Sequence, residues 1–273
     1  MCTASDDPEE VLGSEGVTRV VRVGATVRRP VRPFTATIQA YLAHLLAHGF
    51  HDAPEPFGYD EQDREVLSYI AGEVPIEPLP DWATTLEVLA GVARLVRRLH
   101  DAAAGWTPPP DAVFGGLPGA PPPGVQPLFA VPELVSHQDY CPGNVVFQDG
   151  QPAALIDFDL ARPTTRVADA VNALYWWVPL LHPQDRPLAL VEADAAERVR
   201  IFADAYGMSR AQRAAVAATA LRGAANATLK MHAAAEADPV FRRWWDGGVK
   251  DRMPRAEHWI VENADRLHAQ LLR

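Results

Sequence analysis

Residues 134–162 decide the fold, and they read LVSHQDYCPGNVVFQDGQPAALIDFDLAR. Two short apolar runs, at 145–147 and 153–156, flank the dipeptide Asp149-Gly150. Asp-Gly between β-prone residues predicts a tight hairpin. Such a hairpin would bring Asp139 and Asn144, at its entry, close to Asp157, at its exit. The sequence therefore predicts three oxygen-bearing side chains at one end of two paired strands.

These three side chains suit phosphoryl transfer from a magnesium nucleotide. That reaction needs a metal held against the phosphates and a group that accepts the proton of the attacking hydroxyl. Mg²⁺ prefers oxygen ligands and usually takes only one or two carboxylates from the protein. Asn144 and Asp157 would supply two ligands. Asp139, on a loop restrained by Pro142-Gly143, would be free to orient and deprotonate a hydroxyl.

The spacing His137-x-Asp139-x-x-x-x-Asn144, followed by Ile-Asp-Phe at 156–158, carries a family resemblance. It resembles the catalytic loop and the metal-binding turn of the protein-kinase-like fold. Within that fold it is similar to the branch of aminoglycoside phosphotransferases and choline kinases. Taken singly, an Asp or Asn is more often a turn former than a ligand. The order of these positions on a predicted loop, hairpin and turn favours the functional interpretation.

The resemblance implies a role for each residue of this segment. Asp139 would be the catalytic base, and Asn144 and Asp157 would bind the metal. His137 would support the loop. Asp169, in the run Val-Ala-Asp-Ala at 167–170, resembles the later aspartate that braces the catalytic loop in this family.

The resemblance also implies a nucleotide site in the N-terminal part of the chain. Gly13, Ser14 and Gly16 precede a predicted strand-turn-strand at 17–29 and are the candidates for covering the ATP phosphates. Glycines at turns are ordinary, so a plain turn is the alternative. Adenine would lie against the backbone of a hinge formed by Ser68, Tyr69 and Ile70, for which a plain edge strand is the alternative.

A lysine on the third strand, paired with a glutamate of the next helix, is the family pattern that this chain lacks. Its only lysines are Lys230 and Lys250, so Arg28 or Arg29 must fill the position, and we predict Arg29. Arginine binds phosphate with a planar, permanently charged group and does not simply replace lysine. The following predicted helix, at 35–50, contains no acid, so we expect its ion pair to be absent, with Gln39 or His44 as candidate contacts of the arginine.

The acceptor pocket would be built from acids and aromatic residues after the hairpin. The candidates are Tyr140, Asp159, Trp176 and Trp177. The alternative places the tryptophans in the core, where large aromatic side chains are usually found. His100, at the end of a predicted helix over 81–101, is interpreted as a cap rather than a catalytic group.

Composition limits the classes of function. The chain has 273 residues, 48% hydrophobic and 22% charged, with a net charge of −10 and two cysteines in no metal-ligand pattern. A negative charge argues against nucleic-acid partners and is compatible with a cationic small substrate. No apolar run is long enough to span a membrane, and the acidic N-terminus does not resemble a signal peptide. We expect a cytoplasmic monomer or homodimer.

These observations predict an α+β, bilobal, protein-kinase-like fold. Residues 1–71 would form a small nucleotide-binding lobe with an antiparallel sheet, and residues 72–273 a mostly helical lobe. The irregular, proline-rich segment at 107–127 would be an excursion of the larger lobe. The predicted activity is transfer of the γ-phosphate of ATP or GTP, with Mg²⁺, to a hydroxyl of a small molecule. An aminoglycoside-like antibiotic ranks first, with a role in resistance, and choline, a sugar or another cationic or polyol metabolite, or a homoserine-like one, remain open as acceptors. The alternative is a kinase-like binding or immunity protein with weak turnover.

Overall fold

An antiparallel sheet forms the N-terminal part of the computed structural model, which describes residues 8–12 and 19–273. Its strands lie in the order β1-β2-β3-β5-β4. They are β1 (Glu10–Leu12), β2 (Val20–Val23), β3 (Thr26–Pro30), β4 (Pro56–Tyr59) and β5 (Arg64–Ser68). The pairing of β3 with β5 sets Arg29 directly opposite Glu65. Cross-strand neighbours of this kind have adjacent side chains on the same face of a sheet.

Helix α1 (Thr35–Ala47) follows β3 and packs against this sheet. Its buried side chains include Ile38, Tyr41, Leu42 and Leu45, which is the predicted amphipathic stripe. The helix has no acid in its first turn, as the sequence requires. The helix therefore presents an apolar face to the sheet, together with the side-chain amide of Gln39.

Helices dominate the remainder of the described chain. They are α2 (Leu86–Ala102), α3 (Arg166–Trp177), α4 (Ala195–Tyr206), α5 (Arg210–Ala237), α6 (Pro239–Trp244) and α7 (Lys250–Leu271). Thr165 caps α3 by accepting from the backbone of Ala168, and Ser209 caps α5 in a reciprocal capping box with Gln212. The predicted helix over 186–206 is too long, because Pro187 lies in a segment of short 3-10 turns and the helix begins only at Ala195.

The predicted hairpin is confirmed, and it lies between α2 and α3 in the chain. Strands β7 (Val145–Gln148) and β8 (Gln151–Leu155) pair around Asp149-Gly150. Asp149 has φ 50° and Gly150 φ 72°, and two positive values are what a two-residue turn of this type requires. Beside the hairpin, β6 (Leu134–Ser136) pairs with β9 (Arg162–Thr164) and sets Ser136 opposite Arg162. Both strand pairs adjoin residues 137–144, because β6 ends just before this segment and β7 begins just after it.

Residues 113–126, which we call the strap, cross from α1 to α5 without regular structure. The backbone N–H of Val113 donates to Thr37 Oγ1 at 2.9 Å. At Gly115 a Cβ atom would lie 1.8 Å from the carbonyl oxygen of Asp159, so only glycine allows this close approach. At the other end, Gln126 and Asn226 exchange two hydrogen bonds of 2.9 and 2.7 Å. The strap thus passes against the turn that contains Asp159 and reaches the middle of α5.

The architecture confirms the predicted α+β class, with an antiparallel sheet first and helices after it. A single hydrophobic core continues from α1 through α2 and the hairpin to α3, α4 and α7. In the described ranges, no helix is both long enough and apolar enough to cross a membrane.

Candidate active site

His137 ties the catalytic loop to the residue that precedes Asp157. Its Nε2 is 2.9 Å from the carbonyl oxygen of Ile156, and its ring lies against Phe158. Its Nδ1 accepts the backbone N–H of Asp139 at 3.3 Å. A ring that donates from Nε2 and accepts at Nδ1 is the neutral tautomer. The side chain is fully buried, so its placement is that of a support for the loop.

Asp139 and Asn144 lie side by side at the start of the hairpin. Asn144 Nδ2 donates to Asp139 Oδ2 at 3.0 Å and to the Asp139 backbone oxygen at 3.1 Å. Burial raises the pKa of Asp139, and the carboxylate of Asp157 adds to this effect, while His137 and the backbone N–H of Cys141 oppose it. A carboxylate with a raised pKa is a better proton acceptor than an ordinary one.

Asp157 completes the predicted convergence at the exit of the hairpin. Its backbone is left-handed, with φ 61° and ψ 70°, and its side chain is 53% exposed. Because Nδ2 of Asn144 is committed to Asp139, its Oδ1 is the atom left to face a ligand. One amide oxygen and one carboxylate are a donor set that fits Mg²⁺ with phosphate and water as the other ligands. Among the described residues, no three His, Cys, Asp or Glu side chains form a metal-binding group.

Asp169 braces the catalytic loop from α3. It is fully buried and accepts from the backbone N–H of Gln138 at 3.1 Å and from the hydroxyl of Tyr140. His100 Nε2 lies 2.6 Å from Oδ2 of Asp169, the oxygen that also accepts from Tyr140. Burial alone would raise the pKa of Asp169, but the hydrogen bonds and charge of His100, with the hydroxyl of Tyr140, outweigh burial and lower the pKa to about 2. A buried carboxylate is retained only when it is paired in this way.

Arg29 has a carboxylate partner, but that partner comes from a strand. Its guanidinium bonds to Glu65 on β5, and both side chains are buried. Gln39 of α1 donates to the other oxygen of Glu65 at 2.9 Å. The helix supplies no acid to this cation, and the sequence did not predict that a strand would supply one instead. Gln39 contacts the carboxylate rather than the arginine, and His44 instead bonds to the carbonyl of Ala102.

Asp159 also turns toward Arg29. The two side chains approach to 2.7 Å, and Asp157 Oδ1 lies 3.4 Å from the same nitrogen. Burial, followed by the charge of Asp157, raises the pKa of Asp159 to about 6, against the opposing effect of Arg29. The described partner of Asp159 is thus Arg29, and its predicted place in an acceptor pocket stays a prediction.

The hinge candidates lie where β5 ends. The backbone N–H of Ser68 donates to Glu55 at 2.9 Å and that of Tyr69 donates to Ala25 at 2.8 Å, so neither is available to a nucleotide. The hypothesis also includes the carbonyl acceptors of this segment, so adenine binding at Ser68, Tyr69 and Ile70 stays a prediction. Gly13, Ser14 and Gly16 lie outside the described residues.

Two of the acceptor candidates belong to the core. Tyr140 is fully buried, with its hydroxyl on Asp169 and its backbone N–H on Asn172 Oδ1 at 2.9 Å. Trp177 is 2% exposed and donates from Nε1 to the Tyr140 carbonyl at 2.8 Å. The prediction that these two residues touch the acceptor is wrong, because the loop uses them to attach itself to α3. Trp176 is partly buried and stays a prediction.

Sequence reasoning missed His100, Tyr206 and Asn172. His100 is not a cap: it is fully buried, and its Nδ1 lies 2.6 Å from the Tyr206 hydroxyl. No local pattern signals this contact, since the partners come from α2, α3 and α4. Asn172 could have been found, because it lies three residues after Asp169 and therefore on the same helix face.

Comparisons with known proteins agree with this geometry. Residues 117–202 match the model of the phosphotransferase enzyme family. A trifolitoxin immunity protein of Rhizobium leguminosarum bv. trifolii is 30% identical over an alignment of 281 positions that covers 96% of this chain and 98% of that protein. The chain belongs to the phosphotransferase enzyme family.

Solved structures of the phosphotransferase enzyme family and its kinase neighbours share the fold. A choline/ethanolamine kinase family protein from Mesorhizobium loti superposes with a TM-score of 0.65 at 19% identity, over 98% of this chain and 94% of that one. An amicoumacin kinase in complex with AMP-PNP and Ca²⁺ gives 0.62 at 11% identity, over 96% and 88%. The predicted protein-kinase-like fold is confirmed, as is membership of a family of small-molecule phosphotransferases.

Proposed function

We propose that the protein transfers the γ-phosphate of ATP, or of GTP, to a hydroxyl of a small molecule in the cytoplasm, with Mg²⁺ as cofactor. The observation that carries the proposal is the convergence of Asp139, Asn144 and Asp157 at one end of the hairpin, with Arg29 beside Asp157. These are the parts that positioning and charge stabilisation require in phosphoryl transfer.

Asp139 accepts the proton of the acceptor hydroxyl. The hydroxyl oxygen forms a bond to the γ-phosphorus as the bond from that phosphorus to the bridging oxygen breaks, and the electron pair leaves with the nucleoside diphosphate. Asn144 holds Asp139 by donating to its Oδ2 at 3.0 Å. Since the amide contacts the base directly, the base keeps its orientation when a substrate arrives.

Asn144 and Asp157 would hold the metal, which when bound neutralises the charge that develops on the phosphates. Asp157 is half exposed and Asn144 is 8% exposed, so the first would meet the metal from the solvent side and the second from within the loop. Arg29 would contact the nucleotide phosphates from the sheet.

Glu65 would position Arg29 for this task. The two residues face each other on adjacent strands, and the carboxylate is fully buried. Gln39 fills the place on the helix where the family pattern has an acid, and it donates to Glu65. The position of Arg29 is therefore set by the pairing of β3 with β5 rather than by a helix.

A nucleotide-binding and turnover experiment tests the proposal. Thermal stabilisation by ATP should require Mg²⁺, and radiolabelled ATP should label some acceptor in a screen of hydroxyl compounds. A chain that neither binds MgATP nor labels any acceptor would contradict the proposal.

A second candidate function is an immunity protein that binds its target without useful turnover. The observation that favours it is the 30% identity to a trifolitoxin immunity protein along nearly the whole chain. The same experiment separates the two functions, because a pure binding protein would be stabilised by its target and would transfer no label.

A further inference from the structure

Helix α1 presents a polar stripe to the helical part of the chain. Thr37 Oγ1 accepts a backbone N–H of the strap at 2.9 Å. Tyr41 is fully buried and donates from its hydroxyl to the backbone oxygen of Val135 on β6 at 2.8 Å. His44 Nε2 lies 3.1 Å from the backbone oxygen of the last residue of α2. Residues at these spacings lie on one face of a helix, so one face of α1 is bound to three elements that follow the sheet in the chain.

The segment that follows α1 is attached to the same part of the protein. The backbone oxygen of Asp52 accepts from Leu155 of β8 at 2.9 Å, and its carboxylate pairs with Arg98 of α2 at 2.6 Å. The ring of Tyr41 also packs against Trp106, with the ring centroids 4.8 Å apart. These contacts fix the position of α1 relative to β6, the strand that leads into the catalytic loop.

Gln39 joins α1 to the sheet through both polar atoms of its amide. Its Nε2 donates to Glu65 Oε1 at 2.9 Å, and its Oε1 accepts the backbone N–H of Gly58 on β4 at 3.1 Å. The other carboxylate oxygen of Glu65 bonds to Arg29. A continuous chain of contacts therefore runs from Val135 through α1 and Glu65 to Arg29.

This chain of contacts is short, and its members are buried. Tyr41 and Glu65 are fully buried, and Arg29 is 8% exposed. Gln39 and Tyr41 are two residues apart on the same helix. Since closely packed interiors transmit small displacements, a shift of α1 against β6 would also displace Glu65.

We infer that Gln39 is a positioning residue, which through Glu65 sets the place of Arg29 relative to the catalytic loop. Helix α1 is the spacer between β6 and this cation. The inference rests on the proposed function, because it assigns the nucleotide phosphates to Arg29. An amide suits position 39, since it donates to the carboxylate of Glu65 without adding a second negative charge that would repel it.

Gln39→Met tests the role of the amide, because methionine has a similar length but no amide. Loss of a hydrogen bond to a charged group is expected to weaken the binding of AMP-PNP with Mg²⁺ about tenfold, which corresponds to about 1.4 kcal/mol. Adenosine has no phosphates for Arg29 to contact, so its affinity should stay within about twofold of the wild-type value. Gln62→Met changes an exposed residue of a turn and is the matched control, which should bind both compounds as the wild type does.

Tyr41→Phe tests whether position is passed through α1. The variant removes one hydroxyl and keeps the buried ring, and it is expected to weaken AMP-PNP binding about threefold. Tyr59→Phe removes a hydroxyl from a half-exposed side chain on β4 and should bind as the wild type does. In the double variant Gln39→Met/Tyr41→Phe, the second substitution should add nothing to the first, because α1 has already lost its contact with Glu65.

Titrations with both compounds and melting temperatures of all the variants decide the outcome. Wild-type affinity of Gln39→Met for AMP-PNP would overturn the inference, and so would additive effects of the two substitutions. Equal weakening of AMP-PNP and adenosine binding would also overturn it, because the loss would then come from a general loosening of the fold. Failure of the wild type to bind AMP-PNP would contradict the proposed function itself, and the inference with it.

Discussion

Arg29 and Arg162 are both largely buried cations, but they differ in how closely carboxylates approach them. Arg29 contacts three carboxylates, those of Glu65, Asp157 and Asp159. Burial by itself would lower the pKa of Arg29, yet Asp159 and Glu65 outweigh it and raise the pKa. For Arg162 burial prevails over the more distant Asp169 and Asp139, and the pKa is lowered.

The difference affects how firmly each cation is held. A buried charge that is matched by carboxylates of its own chain is held in one place whether or not a ligand is bound. A buried charge without a carboxylate partner is stabilised most when a ligand supplies the opposite charge. Arg29 is therefore held in place by carboxylates of its own chain, whereas Arg162 makes no ion pair with any described residue.

Of these variants, Asp139→Asn should change the activity most, and the quantity affected is kcat. Loss of the proton acceptor is expected to lower kcat by roughly 10²–10⁴-fold. Affinity for MgATP should stay near wild type, since Arg29 and its carboxylate partners are intact. Steady-state kinetics and nucleotide titration measure the two effects; equal losses of kcat and binding would show that Asp139 is structural. The raised pKa of Asp139 also places the acid limb of kcat above the ordinary range of aspartate.

Glu65→Gln should disrupt the ion pair that holds Arg29 on the proposed nucleotide side of the site. Removing one partner of a buried ion pair typically costs about 3–5 kcal/mol, because the other charge is left uncompensated. Asp159 and Asp157 remain near Arg29, so we expect the lower end of this range in urea unfolding, with a raised KM for MgATP.

The double variant Gln39→Glu/Glu65→Gln moves the carboxylate from the strand to the helix. It should recover part of the MgATP affinity that Glu65→Gln loses. Glu87→Gln, an exposed acid on α2, serves as the control for loss of one negative charge. An unchanged KM for MgATP in Glu65→Gln would show that Arg29 does not need its partner.

Asp169→Asn should change the free energy of unfolding by an intermediate amount, and this change should depend on pH. Its folded pKa of about 2 lies below the ordinary value, so the carboxylate contributes stability that is present above about pH 4 and is lost as pH falls toward 2. The difference corresponds to about 2 kcal/mol. Unfolding free energies of the wild type should therefore fall over this window, and those of Asp169→Asn should fall less. Asp204→Asn, which removes an exposed ion-pair partner on α4, should retain the wild-type slope.

Arg162→Gln should have the smallest effect on stability, within about 1 kcal/mol. The variant removes a partly buried charge that makes no ion pair with any residue of the described chain. Urea unfolding of Arg162→Gln beside Glu65→Gln tests the comparison directly. A loss for Arg162→Gln as large as that for Glu65→Gln would mean that both cations are structural.

The sequence predicted the hairpin and the loop because the decisive signals there are local. Asp149-Gly150 sets the turn, and the spacing from His137 to Asn144 sets the loop. Glu65 was missed for a physical reason: its partnership with Arg29 depends on which strands are neighbours and in which register. A strand order of β1-β2-β3-β5-β4 is not readable from local patterns.

The aromatic candidates show a second limit. Tyr140 and Trp177 are attractive ligand contacts when only their residue types are known. Their burial follows from the docking of the loop on α3, where Tyr140 bonds to Asp169 and Asn172.

The strap gives the two parts of the protein a second connection besides the backbone that follows β5. Val113 holds α1 at one end, and Gln126 holds α5 at the other. Rotation of the sheet against the helices must preserve both connections, so it is restricted to an axis that runs through them. A nucleotide would then have to enter and leave by the rim of the cleft that faces away from the strap, and a single proteolytic cut inside residues 113–126 would widen that route without touching a residue of the catalytic loop.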